Sequence, residues 1–169
     1  MKLTDLFLTQ LDAEAARTRR TLEHVPAGHE DWKPHDRSMP FGRLAGLVAI
    51  MPSWLTMVIK MDELDINPKG GSNMQQKPLR TSAELVQGLD EAVDSAREAL
   101  SQTSDDFLMT PWKLLSSGAL AQELPRHVVI RDTFMHLSHH RGQLTVYLRL
   151  LGAPVASVYG PTADDKTFA

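Results

Sequence analysis

Two imidazoles, His136 and His140, stand four residues apart in the run Phe134-Met135-His136-Leu137-Ser138-His139-His140-Arg141-Gly142-Gln143-Leu144. On a helix, residues at i and i+4 share a face, and these two are about 40° apart around the axis. Two neutral imidazoles on one face make part of a divalent-metal site. Most such sites need a third protein ligand. Taken alone, an HxxxH pair is more often a hydrogen-bonded pair at the edge of a core. The source of a third ligand therefore decides what the pair can do.

Few neighbours qualify. Asp132 and Gln143 fall on the His136 side of the same helix and are candidates to line the site. His139 faces away from His140 and reads as a surface or interface residue. Arg141 reads as the partner of a carboxylate on another helix or as a loop cap, with contact to an anionic substrate group as the alternative. Trp54 and Trp112 read as core or interface, with pocket lining as the alternative. Tyr147 and Tyr159 are candidates to supply a hydroxyl near the site, and Tyr159 reads rather as a residue that packs the C-terminal tail. There is no cysteine, so thiolate ligands, a cysteine nucleophile and disulfides are excluded. No Gly-rich phosphate loop, GxSxG elbow or paired-carboxylate motif is present.

The elements that must position the pair are helical. A first amphipathic segment runs from about Thr4 to His24, with Phe7, Leu8, Leu11, Ala15 and Leu22 on one stripe. A second begins after Ser38, a candidate N-cap, with Pro40 in its first turn. It carries Leu44, Leu47, Val48, Met51, Trp54, Leu55, Val58 and Ile59, and Pro52 is expected to bend it. Asn67 to Arg80 reads as a long loop. Thr81-Ser82-Ala83-Glu84 is a capping-box pattern that opens a third helix, with Leu85, Leu89, Ala92, Val93, Ala96 and Leu100. Residues from Thr103 to Leu124 read as irregular, or as a short hairpin across a Ser-Ser-Gly turn. The fourth helix spans about Arg126 to Leu151 and stops at Gly152 and Pro154.

The expected fold class is therefore all-α, a four-helix bundle over residues 1–152. Its long loop joins helices two and three, a short irregular or hairpin segment precedes helix four, and an extended tail, 153–169, packs on the bundle. At 169 residues with 42% apolar and 23% charged residues, one domain with a substantial core is expected. A net charge of −3 argues against a nucleic-acid partner. The apolar stretch from Phe41 to Met61 is interrupted by Gly, Pro, Arg and Lys, which argues against a membrane span. The first residues lack the apolar core of a signal peptide, and a cytoplasmic location is expected.

The block from His136 to Gly152, the tail motif Val158-Tyr159-Gly160-Pro161-Thr162-Ala163-Asp164, and the segments Asp31-Trp32-Lys33-Pro34-His35 and Ser38-Met39-Pro40-Phe41-Gly42-Arg43-Leu44-Ala45 together resemble the DinB/YfiT-like family. The quoted segments lie in the first linker, the second and fourth helices and the tail. The resemblance implies a four-helix bundle, a homodimer, and a divalent metal, nickel or zinc, held by three histidines. Two of these correspond to His136 and His140. The third comes from a Leu-Ala-x-His-Val-Ala pattern on the second helix. This chain has Leu44-Ala45-Gly46-Leu47-Val48-Ala49 there, so Leu47 occupies the ligand position. Leucine cannot bind a metal. Met51, one turn on, carries a thioether that suits soft metals better than zinc or nickel. Members with known activity transfer or isomerise with a low-molecular-weight thiol. The expectation is thus a metal-dependent transferase or hydrolase-like enzyme with an incomplete site, or a non-enzymatic dimeric bundle that binds a small ligand.

Overall fold

The apolar stripes close onto one another in the computed structural model, which describes residues 2–71 and 79–167. The long elements are α1 (Leu3–Leu22), α4 (Ser82–Gln102) and α6 (Arg126–Leu150). The second helical segment is two helices, α2 (Phe41–Ile50) and α3 (Ser53–Lys60), set at 54° to each other. Pro52 lies between them, where its missing N–H and its ring interrupt the helical hydrogen bonds. Inward-facing residues from all five helices form one core, including Leu11, Leu44, Val48, Leu55, Leu89, Leu100, Leu137 and Leu144. Each fully buried leucine contributes about 1.5–3 kcal/mol.

The chain is not purely all-α. Among the described residues there are six helices and a three-stranded sheet, in the order β1-β2-β3. β2 (Pro111–Ser116) and β3 (Ala119–Pro125) form the expected hairpin, antiparallel across Ser117 and Gly118. Both turn residues have positive φ, 54° and 79°, as a tight hairpin turn requires. The Asp65 carboxylate accepts from both of their N–H groups, at 3.0 and 2.7 Å. Asp65 ends β1 (Glu63–Asp65), which pairs parallel to β2 with Glu63 opposite Lys113. Three residues are too few to show a period of two, so nothing in the pattern announces this strand. A single-turn helix, α5 (Asp105–Leu108), precedes the hairpin.

Local chemistry explains the boundaries. The Thr81 capping box forms in full, with Glu84 N–H donating to Thr81 Oγ1 at 3.2 Å and Thr81 N–H donating to Glu84 Oε2 at 3.1 Å. Ser38 does not cap α2. That helix starts at Phe41, and the carbonyls of Trp32 and Glu30 accept from Phe41 N–H (2.8 Å) and Gly42 N–H (2.9 Å). Gly152, at φ 74°, ends α6, and Ala153 N–H reaches back to Leu148 O at 3.0 Å. Arg126, 2% exposed, opens α6 and clamps the end of α3. It donates to the carbonyls of Val58 and Met61 and pairs with Asp62 at 2.5 Å.

No single helix among the described residues is long and apolar enough to cross a membrane. The bent pair α2 and α3 approaches that composition because it lies in the core. Part of the loop expected over Asn67 to Arg80, residues 72–78, lies outside the described residues.

Candidate metal centre on the last helix

The buried stripe of α6, with Ile130, Phe134, Leu137, Leu144 and Leu148, fixes the rotation of the helix against the core. His136 and His140 flank that stripe, His136 exposed and His140 half-buried. Their Nε2 atoms face each other at 2.8 Å, and their ring centroids lie 4.6 Å apart. Gln143, one turn on, has Oε1 at 2.8 Å from His140 Nδ1. An amide oxygen only accepts, so it holds the His140 proton on Nδ1 and leaves Nε2 as a lone pair. His136 then donates its own Nε2–H to that lone pair.

Trp54 of α3 packs edge-on against His136, with centroids 5.5 Å apart at 63°. Burial comes first in holding the His136 pKa below the usual imidazole range, followed by the charges of His140 and His139. The His139 ring lies 5.1 Å from that of His140.

The other sequence candidates lie elsewhere. Asp132 pairs with the adjacent Arg131 at 2.8 Å on the surface. Met51 is fully buried in the core. Leu47 is half-buried at the edge of the core face of α2 and lines a cavity of about 720 Å³ whose walls include neither histidine. Among the described residues, no group of three or more His, Asp or Glu side chains is placed to hold a metal. The facing Nε2 atoms and the preset tautomer of His140 suit two bonds to one divalent ion, while a centre of three protein ligands does not fit.

Sequence reasoning assigned Trp54 to core or interface and missed its contact with His136. Its signal is indirect: the stripe through Leu47 continues to Trp54, but the angle at Pro52 decides which helix Trp54 meets.

On the far side of α6, Arg141 is 1% exposed and forms an ion pair with Glu14 of α1 at 2.6 Å. Its guanidinium also donates to Thr18 Oγ1 at 3.1 Å and Tyr159 OH at 2.7 Å. Glu14 Oε1 accepts from Gln10 Nε2 (2.9 Å) and Arg17 (2.8 Å). Tyr159 also lies 3.1 Å from Ser138 Oγ, so the tail joins the same network. Farther along the tail, Asp164 pairs with Arg149 and Asp165 pairs with Arg20, each at 2.5 Å.

Comparison with known proteins places this geometry. The sequence profile of the DinB family matches residues 1–167. A DinB-like protein of Bacillus subtilis, YjoA, has a solved structure that is similar with a TM-score of 0.66, at 18% identity, over 89% of this chain and 96% of that one. A DinB-like protein of Bacillus cereus ATCC 10987 gives a TM-score of 0.62, also at 18% identity, over 88% and 93%. At that identity the likeness concerns the fold. The uncharacterized protein YrdA of Bacillus subtilis (strain 168) is 35% identical over 46 residues, and this chain spans only 28% of its length.

Proposed function

This chain belongs to the DinB family, and from that premise we propose that it binds one divalent metal ion, nickel or zinc, through Nε2 of His136 and Nε2 of His140. The observation that carries this reading is the convergence of the two nitrogens at 2.8 Å with the His140 proton held on Nδ1 by Gln143. With two protein ligands the site is weak, and its remaining positions are open to water or to a thiol cosubstrate. A bound ion supplies Lewis acidity that lowers the pKa of such a thiol or water.

The chain's own residues do the rest. Gln143 holds the His140 tautomer. Trp54 limits the rotation of His136 and excludes water from one face of its ring. Exposure of His136 leaves an approach for a small molecule. Leu47, in place of the family's third histidine, adds no ligand. Thiol-dependent transfer, a homodimer and a cytoplasmic setting belong to the same proposal and rest on family membership.

A second reading is favoured by one observation: the two imidazoles satisfy each other directly. In that reading the bundle is non-enzymatic and the pair is a hydrogen-bonded surface feature. Metal content separates the two. Untagged protein incubated with excess Ni²⁺ or Zn²⁺ and then desalted is expected to retain up to one ion per chain, and His136→Ala to retain none. No retention by the parent protein, together with no saturable nickel or zinc binding by titration, sinks the metal reading.

A further inference from the structure

The 720 Å³ cavity beside α2 is separate in its lining from the histidine pair and falls in the size range of small-molecule sites. Three segments wall it: the linker before α2, the outer face of α2, and the residues just before α4. Its floor is apolar, from Met39, Leu47, Ile50 and Leu79, all half-buried. Gly46 opens the helix wall. A Cβ built there meets nothing within 4 Å among the described residues.

The rim carries charge of both signs. Arg43 projects from α2 and Asp31 from the linker, and both are exposed. Among the described residues neither has a hydrogen-bond or ion-pair partner. Glu30 and Arg80 also line the rim but already answer each other in part. Backbone donors at Glu30 itself and Gly28, then the charges of Arg80 and His29, hold the Glu30 carboxyl below its usual range. Above an apolar floor, the rim thus offers the guanidiniums of Arg43 and Arg80 as cations and Asp31 as an anion, while Glu30 accepts from Gly28 N–H. A simple anion gains at Arg43 and loses at Asp31, and a simple cation does the reverse. A zwitterion with an apolar body satisfies both.

We infer that this cavity binds a small apolar zwitterion of the dipeptide class, with its carboxylate toward Arg43, its ammonium toward Asp31, and its apolar side chains on Leu47 and Ile50. This site works independently of any metal at His136 and His140.

Calorimetric titration with L-leucyl-L-leucine tests it, beside the N-acetylated form, which lacks the ammonium, and the C-terminal amide, which lacks the carboxylate. Saturable one-to-one binding of the dipeptide is expected, with each blocked form weaker by about tenfold or more, the scale of a lost charge-assisted hydrogen bond. Arg43→Gln should erase the dipeptide's advantage over the amide, and Asp31→Asn its advantage over the acetylated form. Gly46→Leu should fill the cavity and abolish binding while the far-ultraviolet dichroism stays unchanged. Should that variant misfold, the two rim variants carry the test. His136→Ala should leave dipeptide affinity intact. Absence of saturable dipeptide binding, equal affinity for the three probes, or rim variants that leave the preferences unchanged would overturn the inference. So would loss of dipeptide binding in His136→Ala.

Discussion

The two sides of α6 handle polar groups in opposite ways. Toward α1, Arg141 and Glu14 are buried and paired with each other at 2.6 Å, with Thr18, Tyr159, Gln10 and Arg17 around them; Glu14 Oε2 has the Arg141 ion pair but no hydrogen bond among the described residues. Toward α3, His136 and His140 keep a single fixed partner, Gln143, and otherwise face each other. Burying a guanidinium and a carboxylate is tolerable only when both are fully paired. The polar groups on that side are engaged chiefly with one another, and the Arg141–Glu14 pair ties α6 to α1. On the histidine side the facing Nε2 atoms hold only each other, a single bond at the surface that an incoming ion could replace. One helix thus separates a locking face from the face proposed to bind metal, and residues of the two faces should fail differently when changed.

The largest expected effect falls on the lock. Glu14→Ala leaves the Arg141 charge buried without its carboxylate, and urea denaturation should show a loss of about 3–5 kcal/mol. On the binding face, His140→Ala should weaken nickel or zinc binding by at least about a hundredfold, since one of only two protein ligands is gone. The same variant should change stability by no more than about 1 kcal/mol, because the ring is only half-buried. Gln143→Leu removes the tautomer lock and should weaken binding by about tenfold, with little change in stability. Leu47→His puts a histidine at the position the resemblance assigns to the third ligand. That position lines the cavity beside α2, whose walls include neither histidine of the pair, so metal affinity should change by less than about threefold. A gain of about tenfold or more would bring the position to the pair.

The smallest effect is a pH dependence. The folded-state pKa of His136 lies below its unfolded value, so the folded chain takes up that proton less readily. Stability should be level in His136 above the ordinary imidazole pKa of about 6.5 and fall as pH drops from there through the folded value. His136→Gln should remove that part of the slope. A parent and variant with superimposable profiles would show that burial and the neighbouring histidines do not act on the ring as described.

The sequence pattern carries much of this contrast, because both faces lie on one continuous helix. The i+4 and i+3 spacings place His136, His140 and Gln143 together, and they meet. A carboxylate partner for Arg141 is among the roles its position suggests, but its burial is not written in the spacing and depends on Glu14 of α1. The Thr81 capping box and the Gly152 stop are local chemistry and form where the residues dictate. Trp54 is different, since its contact with His136 depends on the 54° angle at Pro52, which no spacing encodes. Met51 shares a stripe with Leu47 yet is fully buried, while Leu47 stands at the core edge beside a cavity. A small rotation about α2 decides between those fates. β1 escapes any pattern reading because its stability comes from pairing with β2 and from the Asp65 contacts to a turn some fifty residues away.

The central claim is that the facing Nε2 atoms of His136 and His140 share one ion. Heteronuclear NMR of ¹⁵N-labelled imidazoles during a zinc titration tests it most directly. Both Nε2 signals should move together and saturate at one equivalent of zinc, with His140 Nδ1 remaining protonated against Gln143 and the His139 signals reporting no bond. Nε2 signals that stay in place throughout the titration, or that drift without saturation alongside those of His139, would contradict the account.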